Sequence, residues 1–282
     1  MLSQNSTLCS ENGSERFVFG TFQIIASVFG SLGNALILVA VITTRELQNK
    51  CGILIGNLSF VDFLTNILAI PLFAAYVLLA TKGDCKVELH RISQLLSYVL
   101  CTISIMTISL MSIDRCLAVW NPTKYKQILS ETRIKFLIAA TWFSAVLFGV
   151  TEATNHFSKQ QMVRIMLSGI GILYFVLVSS YGLIFIRMRI QRSKVQCIGS
   201  IRQETRRQNE QKLARTIFLV IVLFGISWVP LVYALASKAS ESSRLYQWAA
   251  FISLASASFN PVIYCYRNRQ YLKACNWILH LK

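Results

Sequence analysis

Acidic residues are scarce in this chain of 282 residues, which has 12 Asp and Glu against 28 Lys and Arg. Charged residues of both signs make up only 14% of the sequence, whereas about a quarter of a soluble domain is charged. So little charge excludes an ordinary soluble domain. With 54% of the residues apolar, the net charge of +16 does not indicate a partner made of nucleic acid.

Catalytic groups are also few. The sequence has three histidines, His90, His156 and His280, and all of them fall at or beyond the ends of apolar segments. No nucleophile, base and metal-ligand set can be assembled from them. The sequence therefore predicts that the protein is not an enzyme.

Long apolar stretches are abundant instead. A helix needs about 20 apolar residues to cross the hydrocarbon core of a bilayer. Seven stretches reach or approach that length, and we predict an all-α integral membrane protein in which residues 17–266 form a seven-helix bundle. The stretches are Phe17 to Thr44, Ile53 to Ala80, Val87 to Trp120, Ile134 to Val150, Met162 to Ile190, Thr216 to Ala236 and Tyr246 to Tyr266.

The distribution of positive charge predicts the orientation. Lys and Arg concentrate in cytoplasmic loops, where they lie near anionic lipid headgroups. Placing the N-terminus outside puts 20 of the 28 basic residues on the cytoplasmic side. We therefore expect a multi-pass plasma-membrane protein whose residues 1–16 form an extracellular tail. Two glycosylation motifs, at Asn5 and Asn12, lie in that tail.

The C-terminal segment, residues 267–282, has an amphipathic pattern. Apolar residues recur at helical spacing, with Arg269, Lys273 and His280 between them. This pattern predicts an eighth, short helix that lies in the membrane interface against lipid. Cys275 on this helix is a candidate for palmitoylation, although membrane cysteines are often only packing residues.

Asp62 is the only acid at membrane depth. It either binds a cation within a polar network or is a protonated carboxyl that hydrogen-bonds to a neighbouring helix; intramembrane ionisable groups favour the first alternative. Asn34, Ser104 and Asn260 are the candidate partners. They offer oxygen donors that suit a hard cation such as sodium, which would be an allosteric ion, and no other cofactor is expected.

Two further features allow either a functional or a purely structural interpretation. Asp114 and Arg115 end the third apolar stretch, where a charge pair serves function or only anchors the helix end. Pro230 and Pro261 each remove a backbone hydrogen bond and create a hinge at membrane depth. Proline is also simply more frequent in membrane helices than in soluble ones.

Seven motifs in order resemble the rhodopsin-like (class A) G-protein-coupled receptors over the whole chain. Their residues are Gly33-Asn34, Leu58 to Asp62, Asp114-Arg115-Cys116 in place of Asp-Arg-Tyr, Trp142, Tyr181, Phe224 with Trp228 and Pro230, and Asn260-Pro261-Val262-Ile263-Tyr264. The resemblance implies a receptor that passes an extracellular ligand signal to heterotrimeric G proteins by rearranging its sixth and seventh helices.

The resemblance also implies residue roles. Arg115 would pair with Glu210 on the sixth helix in the resting state and contact the G protein afterwards. Ile105 and Phe224, with Trp228 and Pro230, match the family's core switch. Asp114, Tyr181, Asn260, Pro261 and Tyr264 complete the coupling and switching set. The alternative class is a transporter or channel, which would show several intramembrane charges or an internal repeat, and neither is found.

Some positions depart from the family pattern. His90 stands where most members have a disulfide-forming Cys, and Leu173 stands where most have Pro. Both departures are similar to the melanocortin, lysophospholipid and cannabinoid receptor branch. Without that disulfide, two alternatives are open for Cys9 and Cys85 on the outer face. They pair with each other in the oxidising compartment, or both remain thiols.

The resemblance places a ligand pocket on the outer side of Trp228. Amine receptors have an Asp where this chain has Ser97, and opsins have a Lys where it has Leu254, so neither chemistry is expected. A mostly apolar lining suits a lipid, a sterol-like molecule or an apolar peptide end. The predicted lining is Gln94, Ser97, Tyr98, Cys101, Leu231, Val232, Leu235, Phe251 and Leu254.

Overall fold

The computed structural model describes residues 13–80, 87–120, 122–154, 159–194, 201–237 and 243–280. All regular elements in these ranges are helical. The α-helices are α1 (Gly13–Thr43), α2 (Lys50–Leu64), α3 (Ile70–Ala80), α4 (Val87–Trp120), α5 (Pro122–Ile128), α6 (Glu131–Ala153), α7 (Lys159–Lys194), α8 (Ile201–Ala236), α9 (Arg244–Ala255), α10 (Asn260–Arg267) and α11 (Arg269–Ile278).

Seven helical segments are long and apolar enough to cross a membrane, which confirms the predicted all-α, seven-span architecture. They are α1, α2 with α3, α4, α6, α7, α8, and α9 with α10, and we number these spans one to seven. The helices of spans five and six extend well beyond the apolar stretches, to Lys194 and back to Ile201. Hydropathy marks only the part of a helix that suits lipid, whereas a polar sequence can continue the same helix into water.

Short polar side chains begin several of these helices. Asn49 accepts a hydrogen bond from the Gly52 amide and begins α2, and Ser130 and Ser243 begin α6 and α9 in the same way. Such caps satisfy amide groups that have no partner within the helix. Gly52 is needed at the start of α2, because a Cβ atom there would overlap the Leu47 carbonyl oxygen.

The third span, α4, lies at the centre of the bundle and contacts α2, α3, α6, α7 and α8. Its inward residues Ile105, Ile108 and Met111 belong to the main apolar cluster. Large apolar side chains on the outer helices point away from the bundle, among them Phe143 and Phe175. Such outward faces suit a hydrocarbon environment, in which apolar exposure carries no penalty.

Two spans depart from a regular α-helix. A π turn at Thr65–Ala69 separates α2 from α3, and Pro71 is the second residue of α3. A 3-10 turn at Ser256–Ser258 separates α9 from α10, and Pro261 lies in the first turn of α10, where its missing N–H is tolerated. Pro230 lies inside α8. The seventh span is therefore interrupted directly before Pro261, where the sequence predicts a hinge.

The predicted C-terminal helix is confirmed as α11. It contacts α1 and α10, and buries Tyr271, Ala274 and Cys275 on one side. Asn268 ends α10 and begins α11 in an extended conformation, so the chain turns sharply between the two helices. We call the end of the bundle that carries Asp114 and α11 the inner end, and the opposite end the outer end.

Candidate functional site

The inner end contains a buried ion pair. Arg115 donates from Nε (2.8 Å) and Nη2 (2.5 Å) to Oδ2 of Asp114, and both residues are buried. The Tyr125 hydroxyl donates to the other carboxylate oxygen of Asp114 at 2.7 Å. A buried charge needs partners of this kind, because removing it from water is costly. The Asp114 carboxylate is thus hydrogen-bonded at both of its oxygens.

Lys50 holds Tyr125 in place from the second span. Its Nζ lies 4.5 Å from the centre of the Tyr125 ring and donates to the Leu129 carbonyl. A cation over an aromatic ring is attracted to the ring face. The short helix α5 is therefore fastened to α2 by Lys50 and to α4 by the Tyr125 hydroxyl. Sequence analysis gave neither residue a role in the site, although the segment that ends at Tyr125 resembles the loop that follows the third helix in the family.

The other predicted coupling residues are described to different extents. The side chain of Glu210 lies outside the described part of the structure, so its pairing with Arg115 stays a prediction. Tyr181 packs against Phe218, with ring centres 5.5 Å apart. Tyr264 is buried, lies 6.0 Å from the Tyr271 ring, and its hydroxyl has no hydrogen-bond partner among the described residues.

At mid-depth, Asp62 connects the second, third and seventh spans. Asn260 donates from Nδ2 to Oδ2 of Asp62 at 2.7 Å, and the Ser104 hydroxyl donates to Oδ1 over a long 3.4 Å. Asp62 is only 2% exposed. Three of the four residues predicted to meet at this depth are therefore brought together.

A small cavity of about 10 Å³ lies beside the Asp62 carboxylate, with Thr65, Ser104, Ser256 and Asn260 among its lining residues. This is about the smallest space that admits one water-sized sphere. Hydroxyl, amide and carboxylate oxygens are the donors that hard cations prefer. The cavity lining therefore contains hydroxyl, amide and carboxylate groups of the kinds that hold a hard cation such as sodium.

The fourth residue predicted for the cation site, Asn34, does not join it, and this part of the prediction is corrected. Its side-chain Nδ2 donates to the carbonyl groups of Gly30 (2.9 Å) and Ala257 (3.0 Å), and none of its described hydrogen bonds reaches Asp62. Asn34 is also absent from the residues that line the Asp62 cavity. Because its amide protons are used on its own helix and on the 3-10 turn, Asn34 fastens the first span to the seventh.

Gly30 leaves room for a polar contact between three spans. The Ser258 hydroxyl donates to Oδ1 of Asn66 (2.8 Å), and the Ser27 hydroxyl donates to the Asn66 carbonyl (2.5 Å). A Cβ atom on Gly30 would overlap both Asn66 Oδ1 and Ser258 Oγ. The absence of a side chain at Gly30 thus lets the π turn of the second span bind the 3-10 turn of the seventh.

The predicted core switch residues lie above the Asp62 cavity. Phe224 and Trp228 stack with ring centres 5.3 Å apart, and both belong to the main apolar cluster together with Ile105. Phe224 also lines the Asp62 cavity. Pro230 follows Trp228 on the same helix. The two aromatic rings therefore connect the outer half of the sixth span to the polar residues at mid-depth.

A second cavity lies on the outer side of Trp228, with a volume of about 60 Å³. Six of the nine predicted pocket residues line it. The Gln94 Nε2 and Trp228 Nε1 donors have no hydrogen-bond partner among the described residues. The full lining is Phe73, His90, Ser93, Gln94, Ser97, Tyr98, Cys101, Trp228, Leu231, Tyr246, Ala250, Ser253 and Leu254.

Three predicted pocket residues, Val232, Leu235 and Phe251, are not part of the cavity lining. The face of α9 that meets the cavity follows Tyr246, Ala250 and Leu254 at intervals of four residues. Phe251 lies on the adjacent face and packs on Phe19 of the first span, with ring centres 5.5 Å apart.

The two remaining residues, Val232 and Leu235 on α8, lie outside the cavity for different reasons. Leu231 lines the cavity, whereas Val232 is the next residue along the helix and is rotated by about 100°. Leu235 lies one turn farther out and packs against the main apolar cluster. The cavity therefore extends less far outward along the sixth span than the sequence suggested.

An aromatic group at the outer end was missed by sequence analysis. The His90 ring stacks on Tyr76 at 4.4 Å and lies 6.1 Å from Phe73, and His90 and Phe73 both line the cavity. His90 thus occupies the position of the family's usual Cys with an aromatic contact to the second span.

Sequence analysis also missed Tyr246 and Ala250 of the seventh span, which line the cavity. Their four-residue spacing with Leu254 is the signal that could have identified them.

Several predicted modification sites lie outside the described residues, namely Asn5, Asn12, Cys9 and Cys85, and these stay predictions. Cys275 is described and is only 3% exposed. Its Sγ lies 3.7 Å from Sγ of Cys265. Acylation needs an accessible thiol, so palmitoylation of Cys275 would require the side chain to leave this position.

Comparisons with known proteins agree on one family. The model of the "7 transmembrane receptor (rhodopsin family)" matches residues 33–264. A melanopsin-like protein of Danio rerio is 29% identical, over 90% of this chain and 57% of that protein. The Homo sapiens histamine H2 receptor is 23% identical, over 94% of this chain and 80% of that receptor. The Canis lupus familiaris adenosine receptor A2a is 25% identical, over 90% of this chain and 70% of that receptor.

The chain spans 57% of the length of the two melanopsin relatives that it matches. All of these relatives support the family that the motifs indicate, whose members are receptors rather than enzymes, whereas the narrower branch stays a prediction. Because the family model runs from the first span to the end of the seventh, the chain belongs to the rhodopsin family of seven-transmembrane receptors.

Proposed function

We propose that the protein is a G-protein-coupled receptor of the plasma membrane, with its N-terminus outside and its inner end in the cytoplasm. In this proposal, an extracellular ligand enters the cavity above Trp228, and a heterotrimeric G protein binds the inner end. The observation that carries the proposal is a set of contacts and shared cavity walls that begins at Trp228, beside the outer cavity, and reaches Tyr264 and Tyr271 near the inner end.

The first half of that set is apolar. Leu231 and Trp228 line the outer cavity, and Trp228 stacks on Phe224, which lines the Asp62 cavity. A ligand that displaces Trp228 must therefore also displace Phe224, because the two rings are packed face to face at 5.3 Å. A ligand shifts the protein only towards the state in which these contacts bind it better.

The second half is polar. Asp62 holds Asn260, which begins α10, and Tyr264 one turn later is buried against Tyr271. A change in the Asp62 contacts would move the inner part of the seventh span relative to the third. The sodium ion proposed beside Asp62 would favour the arrangement in which Ser104 and Asn260 surround the carboxylate.

Arg115 supplies the switch at the inner end. Its guanidinium offers five donors in a planar fork, so it can bond Asp114 and still reach a carboxylate on the sixth span. In the proposal Glu210 provides that carboxylate in the resting state. Both members of the Asp114–Arg115 pair are buried, so breaking the pair leaves a buried charge without its partner and costs more than losing an exposed ion pair, which is worth under ~1 kcal/mol.

The cavity favours an uncharged ligand with apolar and aromatic surface, such as a lipid, a sterol-like molecule or an apolar peptide end. A histamine-like amine is not supported, because Ser97 stands where amine receptors have an Asp, and its hydroxyl donates to the Ser93 carbonyl (2.7 Å). The Gln94 Nε2 and Trp228 Nε1 donors, for which the described residues offer no partner, favour a ligand that also carries hydrogen-bond acceptors.

The test is nucleotide exchange on G proteins reconstituted with the purified receptor, with Arg115→Ala as the matched variant. We expect the wild-type protein to accelerate exchange and Arg115→Ala to lose this activity while keeping its surface expression. The same protein in sealed vesicles tests the alternative of a transporter or channel. Solute flux without any exchange activity on a panel of G proteins would overturn the proposal.

A further inference from the structure

Two cysteine side chains meet at the inner end of the bundle. Cys265 lies near the end of α10 and Cys275 lies within α11, and a hydrogen bond of 3.7 Å joins their sulfur atoms. Both are free cysteines. Neither of them lines the ligand cavity or the Asp62 cavity, and neither belongs to the Arg115 ion pair. Their contact is therefore not explained by the proposed receptor function.

The geometry brings the two sulfur atoms close to bonding distance. A disulfide has a sulfur–sulfur distance of about 2.05 Å, so the atoms must approach by only about 1.6 Å. The chain between them bends at Asn268, which is the cap of both helices. Tyr264 and Tyr271, whose ring centres are 6.0 Å apart, hold the two helices against each other next to the cysteine pair.

The two thiols differ in their surroundings. Cys265 is half-buried, whereas Cys275 is buried. The hydrogen bond with Cys265, together with burial, raises the pKa of the Cys275 thiol above its usual value. Because Cys265 is the more exposed of the two, it is the sulfur that an oxidant meets first.

We propose that Cys265 and Cys275 form a reversible oxidation site, in which a peroxide converts the thiol pair into a disulfide that joins α10 to α11. Hydrogen peroxide transfers one oxygen atom to the Cys265 sulfur, giving a sulfenic acid and one water. The Cys275 sulfur then attacks the Cys265 sulfur, the S–O bond breaks, and the hydroxyl leaves as a second water with the Cys275 proton. Two thiols and one peroxide thus yield one disulfide and two waters.

The disulfide would act as a switch in the reducing cytoplasm. Cellular thiols keep such a pair reduced at rest, and the pair is oxidised only while peroxide is present. The bond would fix the bend at Asn268 and hold Tyr264 against Tyr271. This regulatory consequence rests on the proposed receptor function, because it assumes that the inner part of the seventh span moves during signalling, whereas formation of the bond does not.

The test treats purified full-length protein with dilute hydrogen peroxide, blocks the remaining thiols with an alkylating reagent and maps disulfide-linked peptides by mass spectrometry. We expect a Cys265–Cys275 link, with a mass loss of about 2 Da, that disappears after treatment with a thiol reductant. Cys265→Ser and Cys275→Ala should each lack the link, and the control variant Cys51→Ser should keep it. Untreated wild type supplies a comparison that does not depend on how any variant folds.

The chemical proposal is overturned if both thiols are alkylated after oxidation, if either pairs with another cysteine, or if Cys275 from cells carries an acyl thioester. The regulatory consequence is tested separately by nucleotide exchange. Oxidised wild type should fall to the rate of Arg115→Ala and recover on reduction, while both cysteine variants should be insensitive to peroxide. An unchanged rate in linked protein would overturn the regulatory consequence alone.

Discussion

Replacing Tyr125 by Phe tests whether the Asp114 contacts hold the resting state. The substitution removes one hydroxyl, which donates to Oδ1 of Asp114 at 2.7 Å. The aromatic ring remains under Lys50, so the cation–ring contact at 4.5 Å is preserved. Any change in behaviour can therefore be assigned to the hydroxyl, which donates to Asp114 and accepts a long hydrogen bond of 3.5 Å from Nη2 of Arg115.

The size of the effect follows from the burial of Asp114. The carboxylate is fully buried, and a hydrogen bond to a charged group contributes about 1.5–3 kcal/mol. A difference of about 1.4 kcal/mol changes an equilibrium tenfold. Should the bond exist only in the resting state, its loss raises the active population roughly tenfold or more, as long as that population remains small. Ligand-free nucleotide exchange should increase by the same factor.

The assay measures ligand-free exchange and thermal inactivation of Tyr125→Phe at matched receptor concentration. Tyr233→Phe is the control, because the Tyr233 side chain is 63% exposed and makes no hydrogen bond in the part of the chain that the structure describes. Wild-type exchange together with lower thermal stability would mean that both states keep the bond, and the switching role of Tyr125 would be refuted. Wild-type values in both measurements would refute the energetic argument itself.

Three further substitutions test the other sites. Asp62→Asn should abolish any difference in ligand-free exchange between sodium and potassium buffers of equal ionic strength, and a wild-type protein that shows no difference would contradict the cation site. Glu210→Ala should raise ligand-free exchange about tenfold for each ~1.4 kcal/mol lost from the resting state, and an unchanged rate at matched surface levels would refute the latch. Gly30→Ala should lower thermal stability by about 1–3 kcal/mol, because its Cβ displaces the Asn66 side chain. Gly169→Ala is the control, since no described atom beyond the adjacent residues and the nearby helix backbone lies within 4 Å of the added Cβ, and equal losses would contradict the packing argument.

The fold was predictable because each membrane span must satisfy its own backbone hydrogen bonds. This requirement leaves a helix as the only solution for an isolated apolar stretch, so hydropathy alone locates the seven spans. It does not locate the helix ends in water. α7 continues to Lys194 through a strongly basic sequence, because polar residues that are unfavourable in lipid are good helix formers in solution.

The candidate site was only partly predictable, because motifs identify residues but not their partners. Asp62 and Asn260 meet as the sequence suggested, since each is a polar group that lipid cannot solvate. Asn34 instead binds the Ala257 carbonyl, which is free only because a 3-10 turn interrupts the seventh span. Nothing in the sequence marks that turn apart from Pro261.

The contacts of Tyr125 illustrate a second limit of prediction from sequence. The residue lies beyond the third span, in a short helix whose position depends on packing against α2 and α4. A sequence pattern gives the spacing of residues along one helix and carries little information on which distant side chains become neighbours. Lys50, 75 positions earlier in the sequence, could be assigned to Tyr125 only from the folded chain.

The π turn at Thr65–Ala69 changes how the second span must be compared with other helices. A π turn contains one more residue than an α-helical turn, and one residue corresponds to about 100° of rotation. Phe73 and Tyr76 face His90 because this extra residue precedes them. An alignment that counts α-helical turns outward from Asp62 would assign residues 70–80 to the wrong face of the helix. Their positions correspond to those of a regular second span only after one residue is treated as an insertion.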